Sequence, residues 1–422
     1  MQSAQASRNV FDALTSEGHI FRNRSVLSSD YVPEDFPHRN DEIDQVAHIL
    51  RPALEGSRPS NILIYGQTGT GKTAVARYIC DQLKDKVTAD GGAIHTAHIN
   101  CKRVNTPYGI LANIGQTYTT NWEDSIPHTG WRLEQVYAAL CRKAEEAGGI
   151  ALVVLDEVDA LVKKSGDEVL YHLTGINADL GNARMSLIGI SNDTKFTTFL
   201  DPRVKSRLGE ESLTFPPYNA LQLRDILDQR AGQAFHEGAL DPQVLSLCAG
   251  RAAQEHGDAR KALDLLRIAA EMAERDGSRQ VTVDYVNRAE SMMGQDQVRK
   301  MVLQLPLQHE AVLASILANE SQSQLDRQTT GDVYDTYYRI CNRFELDALT
   351  QRRIGGIISE LDMQGVISAR VVSLGRHGRT RFISTAVPFN ELQPIISEDS
   401  FMSSALDLAA DGHFVRPQLR LM

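Results

Sequence analysis

The sequence predicts an α/β phosphate-loop domain built on a parallel sheet, then an all-helical domain, then a C-terminal winged helix. Three observations carry this. A strand, a glycine-rich loop and a helix follow one another over residues 61–79. Short apolar runs alternate with helical stretches up to about residue 216. Three helical patterns and a basic hairpin follow residue 307.

The first observation is the most specific. Asn61–Tyr65 reads as a short buried strand and Ala74–Ile79 as a helix. Between them lies Gly66-Gln67-Thr68-Gly69-Thr70-Gly71-Lys72-Thr73, a G-x-x-x-x-G-K-T loop in the strand–helix context that the motif requires. The glycines let backbone N–H groups turn inward, and the helix N-terminus adds positive potential. Lys72 is expected to reach the β- and γ-phosphates of a nucleotide, and the Thr73 hydroxyl to hold Mg²⁺.

The alternation comes next. Ile62–Tyr65, Ile94–Ile99, Ala151–Leu155 and Leu187–Ile190 are apolar without alternating, as strands buried on both faces are. Strand–helix alternation argues for a parallel sheet with helices on both sides. The run Ala151–Leu155 ends in Asp156-Glu157. Asp156 is expected on Mg²⁺ and Glu157 as general base toward the attacking water. Asn192 ends the next strand and falls beside that pair in a parallel sheet, placed to hold the water or sense the γ-phosphate. Arg203 and Arg207 follow in Asp201–Gly209. Each reads as a surface cation or as an arginine finger for a neighbour's γ-phosphate.

Pro216-Pro217 closes this domain. Asn219 caps a helix through about Phe235, and Asp241-Pro242 pairs a cap with proline at the first helical position. Gly257-Asp258-Ala259-Arg260 opens a third helix, and Val281–Met292 supplies a fourth. Arg260 is placed to fold onto the γ-phosphate and couple the lid angle to nucleotide state.

In the last third, helices are expected at Gln308–Asn319, Thr330–Phe344 and Thr350–Gln364. The third carries Ile354, Ile357, Ile358 and Leu361 on one face. Strands Val366–Leu374 and Thr380–Thr385 flank a Gly-Arg-His-Gly turn. Arg352 and Arg353 lie in the first turn of the proposed recognition helix, and Arg376, His377, Arg379 and Arg381 on the wing; these are the expected DNA contacts. Residues 349–385 hold six arginines against Glu360 and Asp362, a local +4 in a chain whose net charge is −10. The domains read as an arm at 1–30, a nucleotide-binding domain at 31–217, a helical lid at 218–298, a winged helix at 299–388 and an irregular tail at 389–422. A helical piece is expected near Val10–Leu14.

An apolar fraction of 42% suffices for real cores. The absence of an 18-residue apolar run predicts no membrane span, and the first residues lack a signal-peptide pattern. Five scattered cysteines without a C-x-x-C pair suit a reducing cytoplasm and offer no zinc site. His95 and His98 read as ordinary strand residues on opposite faces.

In order, the phosphate loop, the Asp-Glu strand, the strand-end Asn192, Ser206-Arg207-Leu208-Gly209 and Gly257–Arg260 resemble the AAA+ ATPases. Tyr31-Val32-Pro33, Phe36–Arg39, Asn100-Cys101, Asn105–Tyr108 and Ile126–Trp131 resemble, more narrowly, the archaeal replication initiators related to eukaryotic origin-recognition and helicase-loading subunits. The resemblance covers roughly residues 20 to 385. It implies an AAA+ domain with a helical lid and a winged helix, using ATP/ADP and Mg²⁺. It implies Val32, Pro33, His38 and Arg39 on the adenine side, with Tyr218 also in the nucleotide pocket. Lys72, Thr73, Asp156, Glu157, Asn192 and Arg260 would hold nucleotide and Mg²⁺, and Arg207 fits the finger position better than Arg203. An insertion between about Lys102 and Trp131 would touch DNA beside the winged helix. The implied function is weak ATP hydrolysis, binding of double-stranded origin DNA, and loading of the replicative minichromosome-maintenance helicase with other initiator subunits. An AAA+ DNA-remodelling motor of the Holliday-junction class and an ATP-gated DNA-binding regulator remain alternatives.

Overall fold

The computed structural model describes residues 19–28, 31–119, 125–127, 129–193, 195–322, 328–373 and 379–408. The piece near Val10–Leu14 lies outside them. The chain divides into two compact units, Met1–Ala289 and Glu290–Met422.

The first unit opens with α1 (Asn40–Leu50), then β1 (Ile62–Gly66), α2 (Lys72–Ala89) and β2 (Ile94–Asn100). The insertion supplies α3 (Pro107–Gln116), and α4 (Leu133–Ala147) follows it before β3 (Ile150–Asp156). Then come α5 (Val158–Ser165), α6 (Glu168–Gly175), β4 (Arg184–Ser191), α7 (Pro202–Leu208) and β5 (Glu211–Phe215). The five strands are parallel in the order β2-β3-β4-β1-β5. Successive residues face opposite sides of a strand. Val153 and Leu155 therefore join Leu63 and Leu187 in one core layer, while Leu152 and Val154 join Ile62, Ile64 and Ile188 in the other. The order sets β4 between the phosphate-loop strand and the carboxylate strand, so three strand ends meet at one edge. The sequence hid β5 because it is polar and exposed except at Leu213 and Phe215.

The helical segment follows: α8 (Ala220–Ala234), α9 (Pro242–Gln254), α10 (Ala259–Arg275) and α11 (Val283–Val302). Asn219 and Gln222 form a capping box on α8. Asp241 caps α9 with proline at its start, and Asp258 caps α10 through Arg260 N and Lys261 N.

Residues 19–28, read as part of a polar arm, are docked. Phe21 stacks on Phe235 at 5.2 Å, and Arg22 N donates to Ala234 O at 2.8 Å. Ile20 and Leu27 are fully buried, and Arg24 pairs with Glu274. The polar average of the segment concealed four core side chains, each contributing about 2 kcal/mol by burial.

The second unit is a winged helix. It comprises α12 (Leu307–Gln322), β6 (Gln328–Thr329), α13 (Thr330–Arg343), α14 (Gln351–Met363), β7 (Ile367–Ser373) and β8 (Arg379–Thr385). The small sheet is ordered β6-β8-β7. Ile354, Ile357, Ile358 and Leu361 are buried, as their spacing predicts. The tail expected to be irregular instead forms α15 (Phe389–Ile396) and α16 (Ser400–Leu408). Leu392, Met402 and Ala405 are fully buried in this core, so at least residues to 408 complete the winged helix. Among the described residues, no helix is long and apolar enough to cross a membrane.

Candidate functional site

The phosphate loop meets the carboxylate strand at a single concavity lined by Thr68–Thr73, Asn100, Asp156, Glu157, Asn192 and Arg260. Gly69 and Gly71 hold φ of +73° and +90°, values that favour glycine. Lys72 donates to Gly66 O at 2.8 Å and Gln67 O at 2.6 Å, so those two residues shape the loop through their carbonyls. Burial pushes the Lys72 ammonium down to about 8, against the pull of Asp156. A buried cation spending its donors on loop carbonyls fits an incoming polyphosphate. Thr73 Oγ1 donates to Asp156 Oδ2 at 3.0 Å. Two hard oxygens side by side fit Mg²⁺, which takes few protein ligands and completes its shell with phosphate oxygens and water.

Glu157 sits beyond the end of β3 with φ +55°, a left-handed conformation that costs energy in a non-glycine residue and is held by its surroundings. Its carboxylate accepts from Lys102 Nζ at 2.7 Å and from Asn100 Nδ2 at 3.5 Å. Asn100 Oδ1 in turn accepts from the backbone N–H of Lys102 and Arg103, fixing the turn that aims Lys102. Sequence reading missed Lys102: it sits at the head of the insertion, 55 residues from its partner.

The helical segment closes on the loop directly. Ala259 N donates to Gly69 O at 3.2 Å, and a side chain at Gly69 would collide with the Asp258 carboxylate. Arg260 thereby joins the loop's cavity. A larger cavity of about 790 Å³ runs from Gly69, Thr73 and Asp156 to Val32, Pro33, Phe36, Tyr218, Ile226 and Leu263. Val32, Pro33 and Tyr218 are among its lining residues.

His38 and Arg39 do not line it. His38 Nε2 lies 2.8 Å from Asp225 Oδ2 at the surface. Arg39 is 2% exposed and points into the protein. It donates to Thr70 O at 3.0 Å, Pro216 O at 2.6 Å and Glu42 Oε1 at 2.8 Å, with its guanidinium 3.9 Å from the Tyr218 ring centroid. Five fixed donors in a planar fork suit it to tie loop, strand end and helix together. It is a positioning residue for the loop.

Arg207 lines a different cavity, of about 470 Å³, with Tyr137, Tyr171, His172 and Asp179. It is exposed on α7 and absent from its own chain's phosphate cavity. Arg203 pairs with Asp201 at 3.2 Å.

In the winged helix, Arg352 and Arg353 are exposed at the start of α14. Glu360, seven residues along α14 from Arg353, sits 3.8 Å from it and is held by His309 Nε2 at 2.7 Å. That bond keeps the Glu360 carboxyl below its ordinary range. Arg381, expected at the wing as a DNA contact, is half-buried and donates to Gly355 O at 3.1 Å and Ser359 Oγ at 2.9 Å. It ties β8 to α14. Arg376 and His377 lie outside the described residues, as does the side chain of Arg379.

Comparison with known proteins agrees with this architecture. Family models match at residues 35–183 (AAA ATPase domain), 224–291 (Cdc6 AAA+ ATPase-type lid domain) and 300–393 (Cdc6 C-terminal winged helix domain). The chain is 46% identical over 401 residues to the ORC1-type DNA replication protein of Methanocorpusculum labreanum, covering 93% of this chain and 94% of that one. It is 46% identical over 400 residues to the Pyrococcus furiosus protein of the same description, covering 95% of each. The solved structure of the Aeropyrum pernix ORC1 protein in complex with DNA matches with a TM-score of 0.79 at 43% identity, over 92% of this chain and all of that one.

Proposed function

We propose, from the premise that this chain belongs to the family of ORC1-type DNA replication proteins, that it is an ATP-dependent replication initiator acting on origin DNA. The carrying observation is convergence: phosphate loop, paired carboxylates and Arg260 share one concavity, in a chain 43% identical to a protein whose structure was solved with DNA. The AAA ATPase domain makes the chain an ATPase, with Mg²⁺ the expected metal.

Thr73 and Asp156 would hold Mg²⁺, which would supply charge neutralisation at the phosphates, and Lys72 and the loop N–H groups bind the phosphates. Glu157 takes the proton of the attacking water. Asn192 and Arg260 sense the terminal phosphate from the strand edge and the lid. Val32, Pro33 and Tyr218 flank the adenine. Arg207 lies outside its own chain's phosphate cavity, which supports a role on a neighbouring subunit and slow turnover in the isolated chain.

On the winged helix, Arg352 and Arg353 contact the duplex, joined by Arg376, His377 and Arg379 of the wing. The partners are origin DNA, further initiator subunits, and the replicative minichromosome-maintenance helicase, which this protein helps load in the cytoplasm. A loading assay with purified helicase and closed duplex tests this. Wild type with ATP should leave salt-resistant helicase on DNA, and Lys72→Ala should leave none; equal loading by both contradicts the reading.

A further inference from the structure

We propose that Asp159 and Lys163 of α5 are positioning residues for Asn192, which they hold at a fixed reach from Glu157. The inference rests on the role given to Asn192 above and adds the groups that set it in place.

Asn192 lies one residue past the end of β4, exposed and lining the phosphate cavity. A residue at such a point owes its position to whatever grips the chain on either side of it. Here α5 grips both sides. On the near side Ser191 is fully buried, and its hydroxyl lies 3.1 Å from Asp159 Oδ1. The hydroxyl has one proton to give, and an ionised carboxylate accepts more strongly than the Asp193 carbonyl, 3.0 Å away. Ser191 Oγ also accepts from Asp193 N at 3.0 Å, which curls the backbone around Asn192. On the far side Asp193 Oδ2 lies 2.8 Å from Lys163 Nζ, and the same ammonium lies 3.5 Å from Asp159 Oδ2. Its hydrogen bond to Asp193 holds that carboxyl below its ordinary range and raises the Lys163 ammonium above its own. Asp159 and Lys163 stand one turn apart, so both face the strand end.

The helix that does the gripping is itself anchored. Val158, Leu161 and Val162 are buried in one core layer, and the N-cap of α5 is Glu157. One rigid element therefore carries the general base at its head and clamps the chain around Asn192 a turn further on. It sets the spacing of the two groups between which the attacking water sits. Geometry fixed in this way raises the rate of the chemical step more than it tightens binding. The buried Ser191–Asp159 contact carries most of the restraint, and the exposed Lys163–Asp193 pair a smaller share.

The test is a double-mutant cycle on the full chain with saturating ATP and Mg²⁺. Asn192→Ala should lower kcat. Ser191→Ala should lower it by about five- to tenfold while KM stays within about twofold. Lys163→Met should lower it by about two- to threefold. In the Asn192→Ala background neither change should cost anything further, because each acts through Asn192. The affinity for the β,γ-imido analogue of ATP relative to ADP, read by calorimetry, should fall in the same three variants with the same lack of additivity. Equal losses in both backgrounds, or wild-type kcat in folded Ser191→Ala and Lys163→Met, overturn the proposal and leave Asn192 in its role. If Ser191→Ala does not fold, Lys163→Met, a change at an exposed side chain, decides alone. Wild-type kcat in Asn192→Ala overturns the role of Asn192 and this proposal together.

Discussion

Lys102 Nζ lies 2.7 Å from Glu157 Oε1, so the expected general base is ion-paired to the first residue of the insertion. Lys102 is largely solvent-exposed, so this pair is a light restraint. Exposed ion pairs contribute at most about 1 kcal/mol. Lys102→Met should raise basal ATP turnover by roughly two- to fivefold and leave nucleotide affinity nearly unchanged. Glu157→Gln should lower turnover by about 100-fold or more. Steady-state phosphate release checks both; slower turnover in Lys102→Met contradicts the restraint.

Lys72 gives a pH signature. Its folded-state value, about 8, lies below its ordinary 10.5. Between those values the unfolded chain keeps a proton that the folded chain has released, so stability without nucleotide should rise with pH across that window. Bound phosphate favours the charged ammonium. Nucleotide binding above pH about 8 should therefore take up close to about one proton, and affinity should fall as pH rises further. Calorimetry at pH 8.5 in two buffers of different ionisation enthalpy measures this; equal heats contradict it.

Arg39 is buried and bonded to Thr70, Pro216 and Glu42. Arg39→Ala leaves the Glu42 carboxylate and two carbonyls without their donor. Stability should fall by about 3 kcal/mol, read from denaturant unfolding. Nucleotide affinity should drop as well, because the loop loses the clamp on Thr70. Loss of affinity without loss of stability would instead mark Arg39 as a direct ligand contact.

The two kinds of arginine in the winged helix should separate. Arg352→Ala should weaken duplex binding and reduce the salt slope by about 1, without changing stability. Arg381→Ala should destabilise the unit, since Arg381 ties β8 to Gly355 and Ser359. Glu360→Gln should strengthen duplex binding by removing a negative charge beside Arg353. Titrations at several salt concentrations, with melting curves, distinguish these outcomes.

Features encoded over a few neighbouring residues were legible in the sequence. The loop Gly66–Thr73, the strand ending in Asp156-Glu157, the caps Asn219 and Asp258 and the buried face of α14 are all local patterns of period or punctuation. What stayed hidden depends on residues distant in the chain. Arg39 looks like a ligand residue until Pro216 arrives beside it, 177 positions later. Lys102 has meaning only through Glu157. Arg381 looks like a free wing cation until α14 packs beneath it. Leu392 and Met402 were hidden because α15 and α16 are short and α15 contains Pro394.

The central claim is that this chain binds origin duplex through the arginine-bearing face of its winged helix. Fluorescence anisotropy with labelled origin DNA, in ATP and Mg²⁺, tests it for wild type and for Arg352→Ala combined with Arg353→Ala. The account predicts a loss of about tenfold or more in affinity, with wild-type stability and ATP binding retained. Equal affinity of the two proteins would contradict it.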